Sequence, residues 1–97
     1  MKKKIIKKTK NITIFTKIPA PGTKLLMNNL SKVESRSMHG QMPIAWDKAE
    51  NFNVYDIAGN KFIDFSSTIF VANIGHSNAL LLKYMKKGNV WRANYIL

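Results

Sequence analysis

The chain contains no cysteine, so disulfide bonds and thiolate metal sites are excluded. It has five acidic residues against 16 lysines and arginines, which gives a formal net charge of +11. No apolar run approaches the roughly 18 residues of a membrane-spanning helix. The two histidines, His39 and His76, lack the spacing of zinc ligands, so no metal site is expected. Ninety-seven residues allow one domain or a piece of one.

The positive charge is concentrated at the two ends of the chain. Six of the first ten residues are lysines, whereas residues 11–82 contain six cations and five acids. This pattern favours a solvated basic tail at residues 1–11. The alternative is a small basic nucleic-acid-binding protein that uses the N-terminal lysines. Aromatic residues do not interleave with those lysines, as a base-stacking surface would require, so nucleic acid is the less favoured partner.

The N-terminal segment is not typical of a secretory signal. Its apolar stretch, Ile12-Thr13-Ile14-Phe15, is too short for a signal core. A mitochondrial targeting peptide would favour arginine, but the segment contains only lysine. No membrane partner is expected, and the default expectation is a cytoplasmic chain.

Two helices are predicted, on either side of a central β region. Pro19-Ala20-Pro21-Gly22 interrupts regular structure, and Thr23 is expected to cap the first helix. Leu26, Leu30 and Val33 would form one apolar face of that helix, packed on a core. Ser77 or Asn78 would cap a second helix that runs to about Lys87.

The central region predicts a β-hairpin around the turn Ala58-Gly59-Asn60. Apolar residues flank this turn on both sides, and Gly59 and Asn60 tolerate the positive φ that a short loop needs. A short strand is expected within residues 12–16, and residues 47–51 are interpreted as a polar turn. Residues 68–74 predict a buried apolar run. Short, mixed elements of this kind indicate an α+β fold.

The ordered motifs of this region resemble the N-terminal region of class III pyridoxal-phosphate-dependent aminotransferases, such as the 4-aminobutyrate, ornithine and acetylornithine enzymes. The matching residues are Tyr55, Asp56, Gly59, Asn60, Phe62, Ile63, Asp64, Phe65, Ile69, Val71, Asn73, Gly75 and His76. The resemblance covers roughly residues 19–86. Thr68 replaces a glycine that is common in the family, and Ala79 replaces a frequent proline. The match fades after Lys87, which suggests a truncated or frame-shifted relative.

The resemblance implies an N-terminal fragment of a fold-type I pyridoxal-phosphate transferase. Residues 12–87 would form the small-domain segment (helix, β-hairpin, helix), and residues 88–97 a divergent end. The intact enzyme would transfer an amino group from an amine or amino acid to a 2-oxo acid. It would use pyridoxal 5'-phosphate, and its partners would be the remainder of the fold and a second subunit of a homodimer.

The resemblance also implies that the catalytic groups lie elsewhere. A transaminase needs a lysine for the cofactor, a carboxylate at its ring nitrogen and a phosphate-binding helix terminus. In the family these groups lie beyond the position of residue 97, so no catalytic and no cofactor-binding residue is assigned, and the chain alone is expected to be inactive and marginally stable. Thr68 and Ile69 match positions that line the substrate pocket, although core packing would also explain Ile69. Asp56 and Asp64 are interpreted as turn and surface residues, and His76 as structural.

Overall fold

The computed structural model describes residues 2–87, and the predicted divergent end at residues 88–97 lies outside them. The fold is α+β, as predicted, with a five-stranded antiparallel sheet in the order β1-β2-β5-β4-β3. The strands are β1 (Lys7–Lys8), β2 (Thr13–Ile14), β3 (Trp46–Glu50), β4 (Asn53–Asp56) and β5 (Lys61–Ile63). The helical segments are α1 (Thr23–Leu30), a 3₁₀ helix (Arg36–Met38), α2 (Ser67–Phe70) and α3 (Ala79–Lys87).

The predicted hairpin is confirmed as the pair β4 and β5. Val54 lies opposite Phe62, and Tyr55 lies opposite Lys61. Gly59 has a φ of 85°, in the left-handed region that glycine enters without steric cost. The glycine therefore permits the turn that joins the two strands.

A buried polar cluster, formed by Asp56 and Asn60, ties this turn to the N-terminal part of the chain. The Asp56 carboxylate accepts hydrogen bonds from the backbone N–H groups of Ala58 and Asn60 and from the Asn60 side chain. The Asn60 Oδ1 atom accepts from the backbone N–H groups of Phe15 and Thr16, at 2.6 and 3.1 Å. Because the Asp56 and Asn60 side chains are buried and hydrogen-bonded, the cluster fixes the hairpin against the chain that follows β2.

The predicted polar turn at residues 47–51 is wrong, because most of it forms β3. This strand pairs with β4 through Lys48 opposite Tyr55 and Ala49 opposite Val54, with a register shift between Trp46 and Lys48. β3 is an edge strand that pairs on one side only and is largely exposed. Its charged residues suit such an edge, which explains why the sequence lacked the apolar alternation of a strand.

Both predicted helices are present, with differences at their ends. Asn78 caps α3, since its Oδ1 accepts from the Leu81 N–H at 3.0 Å. Thr23 is instead the first residue of α1 and provides no cap, because Gly22 occupies the cap position with a φ of 88°. The helix α1 ends at Leu30, before Val33. Its predicted packing is wrong, because Leu30 remains 42% exposed and Thr23 is the buried residue of the helix.

Little apolar surface is buried within residues 2–87. The buried hydrophobic residues are Ala20, Ala45 and Val54. The predicted burial of residues 68–74 is wrong, because Ile69 and Phe70 are each 80% exposed. The apolar side chains of this segment have no described element to pack against, since the sheet is the only part whose elements contact one another extensively.

The N-terminal lysines lie along the sheet. Lys7 and Lys8 form β1, which pairs with β2, and the Lys3 ammonium donates a hydrogen bond to the Ala58 carbonyl at 2.6 Å. The same ammonium lies 5.8 Å from the centre of the Phe15 ring. This part of the chain therefore contacts the hairpin turn while its lysines remain exposed.

Candidate functional site

The segment that follows β5 has an unusual backbone. The four residues of α2, Ser67 to Phe70, have φ values between 47° and 66°. Left-handed turns generally cost about 1–2 kcal/mol per non-glycine residue, because Cβ approaches the following carbonyl. Thr68 and Ile69, which the sequence assigned to a substrate pocket, both lie in this left-handed turn. The glycine that is common in the family at the position of Thr68 would adopt the same backbone without that cost.

Asp64 holds the start of this turn. Its Oδ1 atom accepts from the backbone N–H and the hydroxyl of Ser66, at 2.9 and 2.8 Å. Its Oδ2 atom accepts from the Thr68 N–H at 3.2 Å and lies 2.7 Å from the His76 Nε2 atom. The hydrogen bond from His76 and those from Ser66 lower the pKa of Asp64 from 3.8 to about 2, against the opposing effect of burial. Asp64 is therefore an ionised acceptor at neutral pH, and Nε2 of His76 donates to it.

His76 reaches Asp64 from a separate part of the chain. Its backbone N–H and carbonyl exchange two hydrogen bonds of 2.8 Å with Asn51, next to the end of β3. Gly75 allows this close approach with a φ of 86°, and a Cβ atom there would lie 3.2 Å from the Asn51 Cα. The Trp46 ring meets the imidazole edge-on at a centroid distance of 5.9 Å. The imidazole is thus held on several sides.

The geometry of this pair does not match a nucleophilic triad. The Thr68 hydroxyl lies 3.5 Å from the same His76 Nε2 atom that donates to Asp64. A triad needs the carboxylate on one ring nitrogen and the hydroxyl on the other, so that the imidazole can accept a proton. The arrangement therefore orients groups and does not activate the Thr68 hydroxyl.

Two clefts lie beside the Asp64–His76 pair, and Asp64 borders both. One cleft, of about 590 Å³, is lined by Thr68 and Ile69 together with Met42, Trp46 and Phe62. We call it the Ile69 cleft. The other, of about 450 Å³, is lined by residues 72–76 and by Asn51 and Phe52. The structure therefore brings both predicted pocket residues to the wall of one largely apolar cleft.

Sequence reasoning missed the Asp64–His76 pair. The interpretation of Asp56 as a turn residue is confirmed, but the surface role for Asp64 is wrong, because its side chain is 4% exposed. Asp64 and His76 are twelve positions apart, so no local spacing joins them. Both residues belong to the ordered motifs that resemble class III aminotransferases, and this shared membership could have suggested that the two side chains contact each other.

Other kinds of site are not found in the described part of the chain. Residues 2–87 contain no cluster of three or more acidic or histidine side chains that could hold a metal ion. They also contain no helix of the length and apolar character needed to cross a membrane. Neither of the two clefts is lined by a lysine.

No family model matches the sequence, but comparison with curated proteins finds relatives. The mitochondrial ornithine aminotransferase of Oryza sativa subsp. japonica is 34% identical over 71 residues, which cover 70% of this chain and 15% of that protein. The 4-aminobutyrate aminotransferase GabT of Escherichia coli (strain K12) is 40% identical over 53 residues, which cover 55% of this chain and 12% of that protein. A leucine/methionine racemase of Thermococcus litoralis is 42% identical over 45 residues, which cover 46% of this chain and 10% of that protein.

These matches agree with the motifs of the hairpin region, although the chain spans a small part of each relative. The aminotransferases it matches include acetylornithine, ornithine and 4-aminobutyrate enzymes, and it spans 12–15% of their length. Over the matched segments the chain is therefore similar to class III aminotransferases.

Proposed function

We propose that this chain forms the N-terminal, pocket-lining segment of a class III aminotransferase, in which other residues carry out amino-group transfer. The similarity to several aminotransferases carries this proposal. The intact enzyme would move an amino group from an amine or amino acid to a 2-oxo acid. This chain alone would be inactive.

The exposed apolar surface supports a segment that needs further protein to complete its core. Large apolar side chains of α1, α2 and α3 remain exposed, among them Leu25, Ile69, Phe70 and Leu80. Burial of such a side chain contributes roughly 1.5–3 kcal/mol, so protein that covered these segments would stabilise them. The remainder of a fold-type I enzyme and a second subunit would cover these faces.

The described residues do not fit a pyridoxal-phosphate site. The cofactor would supply the electron-accepting ring in the intact enzyme, but it needs a buried lysine and a phosphate-binding helix terminus. The lysines of residues 2–87 are exposed, apart from the half-buried Lys61 in β5. No step through the cofactor is therefore assigned to this segment.

The segment would instead shape the pocket through Thr68 and Ile69. Both line the Ile69 cleft, where an apolar side chain would select substrates by size and by excluding water. One relative is named a racemase, and several others are named aminotransferases. A segment shared by enzymes named for two different reactions fits a pocket wall better than a catalytic group.

A chimera tests the proposal. Residues 19–86 of this chain would replace the matching segment of GabT from Escherichia coli, which is 40% identical over 53 residues. The purified chimera is expected to keep pyridoxal-phosphate absorbance and measurable 4-aminobutyrate transamination. The isolated chain is expected to show neither aldimine absorbance above that of free lysine nor transamination.

A matched chimera with Asn60→Ala controls for general tolerance of the replaced segment, because Asn60 is fully buried and hydrogen-bonded. It is expected to lose soluble, cofactor-loaded protein. An unmodified chimera that folds without binding the cofactor, or transamination by the isolated chain, would refute the proposal.

One observation favours nucleic-acid binding as the second candidate. Residues 1–33 contain nine lysines and no acid, and the lysines described there are exposed. Phosphate contacts would give a log–log salt slope of about 0.9 per neutralised phosphate on duplex DNA. Filter binding across salt concentrations, with and without residues 1–10, separates this candidate from the first, since the deletion should abolish any affinity that the lysines supply.

A further inference from the structure

The α2 turn is attached to the sheet by hydrogen bonds, and apolar packing contributes little. Within residues 2–87, α2 packs against no other helix or strand. Its Ile69 and Phe70 side chains are each 80% exposed. Four hydrogen bonds converge on Asp64, and two of them come from backbone N–H groups at the start of the turn, at Ser66 and Thr68. Polar contacts therefore determine where the turn lies.

The partner of Asp64 is itself fixed next to the end of the edge strand β3. His76 is held by its two backbone bonds to Asn51, and its side chain is 14% exposed. The Nε2–Oδ2 distance of 2.7 Å is that of a charge-assisted hydrogen bond. This bond fixes the position of Asp64 relative to the end of β3. Asp64 in turn accepts the hydrogen bond from the Thr68 N–H group.

We propose that Asp64 and His76 are positioning residues, which together fix the orientation of Thr68 and Ile69 at the wall of the Ile69 cleft. The significance of that wall for substrates rests on the proposed function. The positioning itself is a property of this chain and is measured independently of activity. An inactive chimera would therefore leave the positioning result unaffected.

The test is nuclear magnetic resonance on the full 97-residue chain, with hydrogen exchange of the Thr68 amide and the methyl shifts of Ile69 as readouts. His76→Phe keeps a ring but removes the donor, and Asp64→Asn removes the charged acceptor. Both are expected to accelerate exchange of the Thr68 amide about tenfold and to move the Ile69 methyl signals. His76→Gln is expected to restore both readouts, because its side-chain amide can donate in place of Nε2.

Two controls separate positioning from general loss of structure. Ser77→Ala removes the neighbouring hydrogen bond to the Ala49 carbonyl and is expected to leave the Thr68 amide unchanged. The Asn60 amide, bonded to Asp56, reports the hairpin and is expected to stay protected in every variant. The proposal is overturned if His76→Phe matches the wild type, if His76→Gln matches His76→Phe, or if the wild-type Asn60 amide is unprotected.

Discussion

Two aspartates lie at opposite ends of one β-hairpin and organise very different surroundings. Asp56 accepts bonds from Asn60 and from the turn that contains Gly59, and the cluster is buried. Asp64 accepts bonds from a turn whose residues are not glycine although their φ values are positive, and apolar side chains beside it are exposed. The first cluster is complete within this chain, whereas the second supports a surface that further protein would cover.

The two turns differ in how well their residue types suit the backbone that they adopt. At Asp56 the residue types match the backbone they adopt, because glycine occupies the position with positive φ. At Asp64 the left-handed turn is retained although Thr68 disfavours it, and the hydrogen bonds of Asp64 to Thr68 and His76 hold it in place. A segment that keeps an unfavourable backbone beside a cleft is a better candidate for function than one whose residues all agree with their geometry.

The largest expected effect comes from Asn60→Ala, which breaks the buried cluster. The substitution removes the hydrogen-bond partner of the Asp56 Oδ2 atom and the acceptor of the Phe15 and Thr16 N–H groups, at a position that is fully buried. Each buried group left unsatisfied costs about 1–3 kcal/mol, so a loss of roughly 3–5 kcal/mol in the free energy of unfolding is expected. Urea unfolding followed by circular dichroism measures it, and in a marginally stable chain the variant would be largely unfolded.

The matched control is Asn29→Ala, at an exposed asparagine in α1. The same change of residue type is expected to leave the unfolding free energy within about 0.5 kcal/mol of the wild type. Equal losses in the two variants would contradict the assigned role of the Asp56–Asn60 cluster.

The two clusters also differ in how far sequence alone predicts them. The hairpin could be predicted because Gly59 and the flanking apolar residues lie together in sequence, and short-range turn chemistry decides the structure. The Asp64–His76 pair could not, because its members meet only after β3 pairs with β4 and Gly75 brings His76 against Asn51. The burial predicted for residues 68–74 failed for a related reason, since an apolar sequence shows a preference for burial but not whether a partner surface is present.

A smaller effect is expected from acid, and it acts on the second cluster. The pKa of Asp64 in the folded chain, about 2, is below its ordinary value of 3.8. The unfolded chain therefore takes up this proton more readily, and the contribution of Asp64 to stability is complete above pH 3.8 and is lost as the pH falls through about 2. The stability difference between the wild type and Asp64→Asn should shrink over this interval.

Urea unfolding of both proteins at pH 5, 3 and 2 measures this difference, and Asp64→Asn serves as the reference without the titrating group. The remaining carboxylates are common to both proteins, so their effects cancel in the comparison. A wild-type advantage that stays constant from pH 5 to pH 2 would show that Asp64 is not held by the hydrogen bonds described.

The smallest expected change in the free energy of unfolding comes from a substitution in the α2 turn, and it tests how the two turns differ. Thr68→Gly places a residue that tolerates a φ of 51° in the α2 turn, and it keeps the backbone N–H that donates to Asp64. Relief of the left-handed strain exceeds the entropy that glycine loses on folding, so a gain of roughly 0.5–1 kcal/mol in the free energy of unfolding is expected. Asn28→Gly, in the exposed middle of α1, should instead lose roughly 0.3 kcal/mol, because glycine disfavours a right-handed helix somewhat more than asparagine does. Opposite signs in the two variants would establish that the left-handed turn forms in solution, and a loss in both would show that Thr68 adopts ordinary backbone angles there.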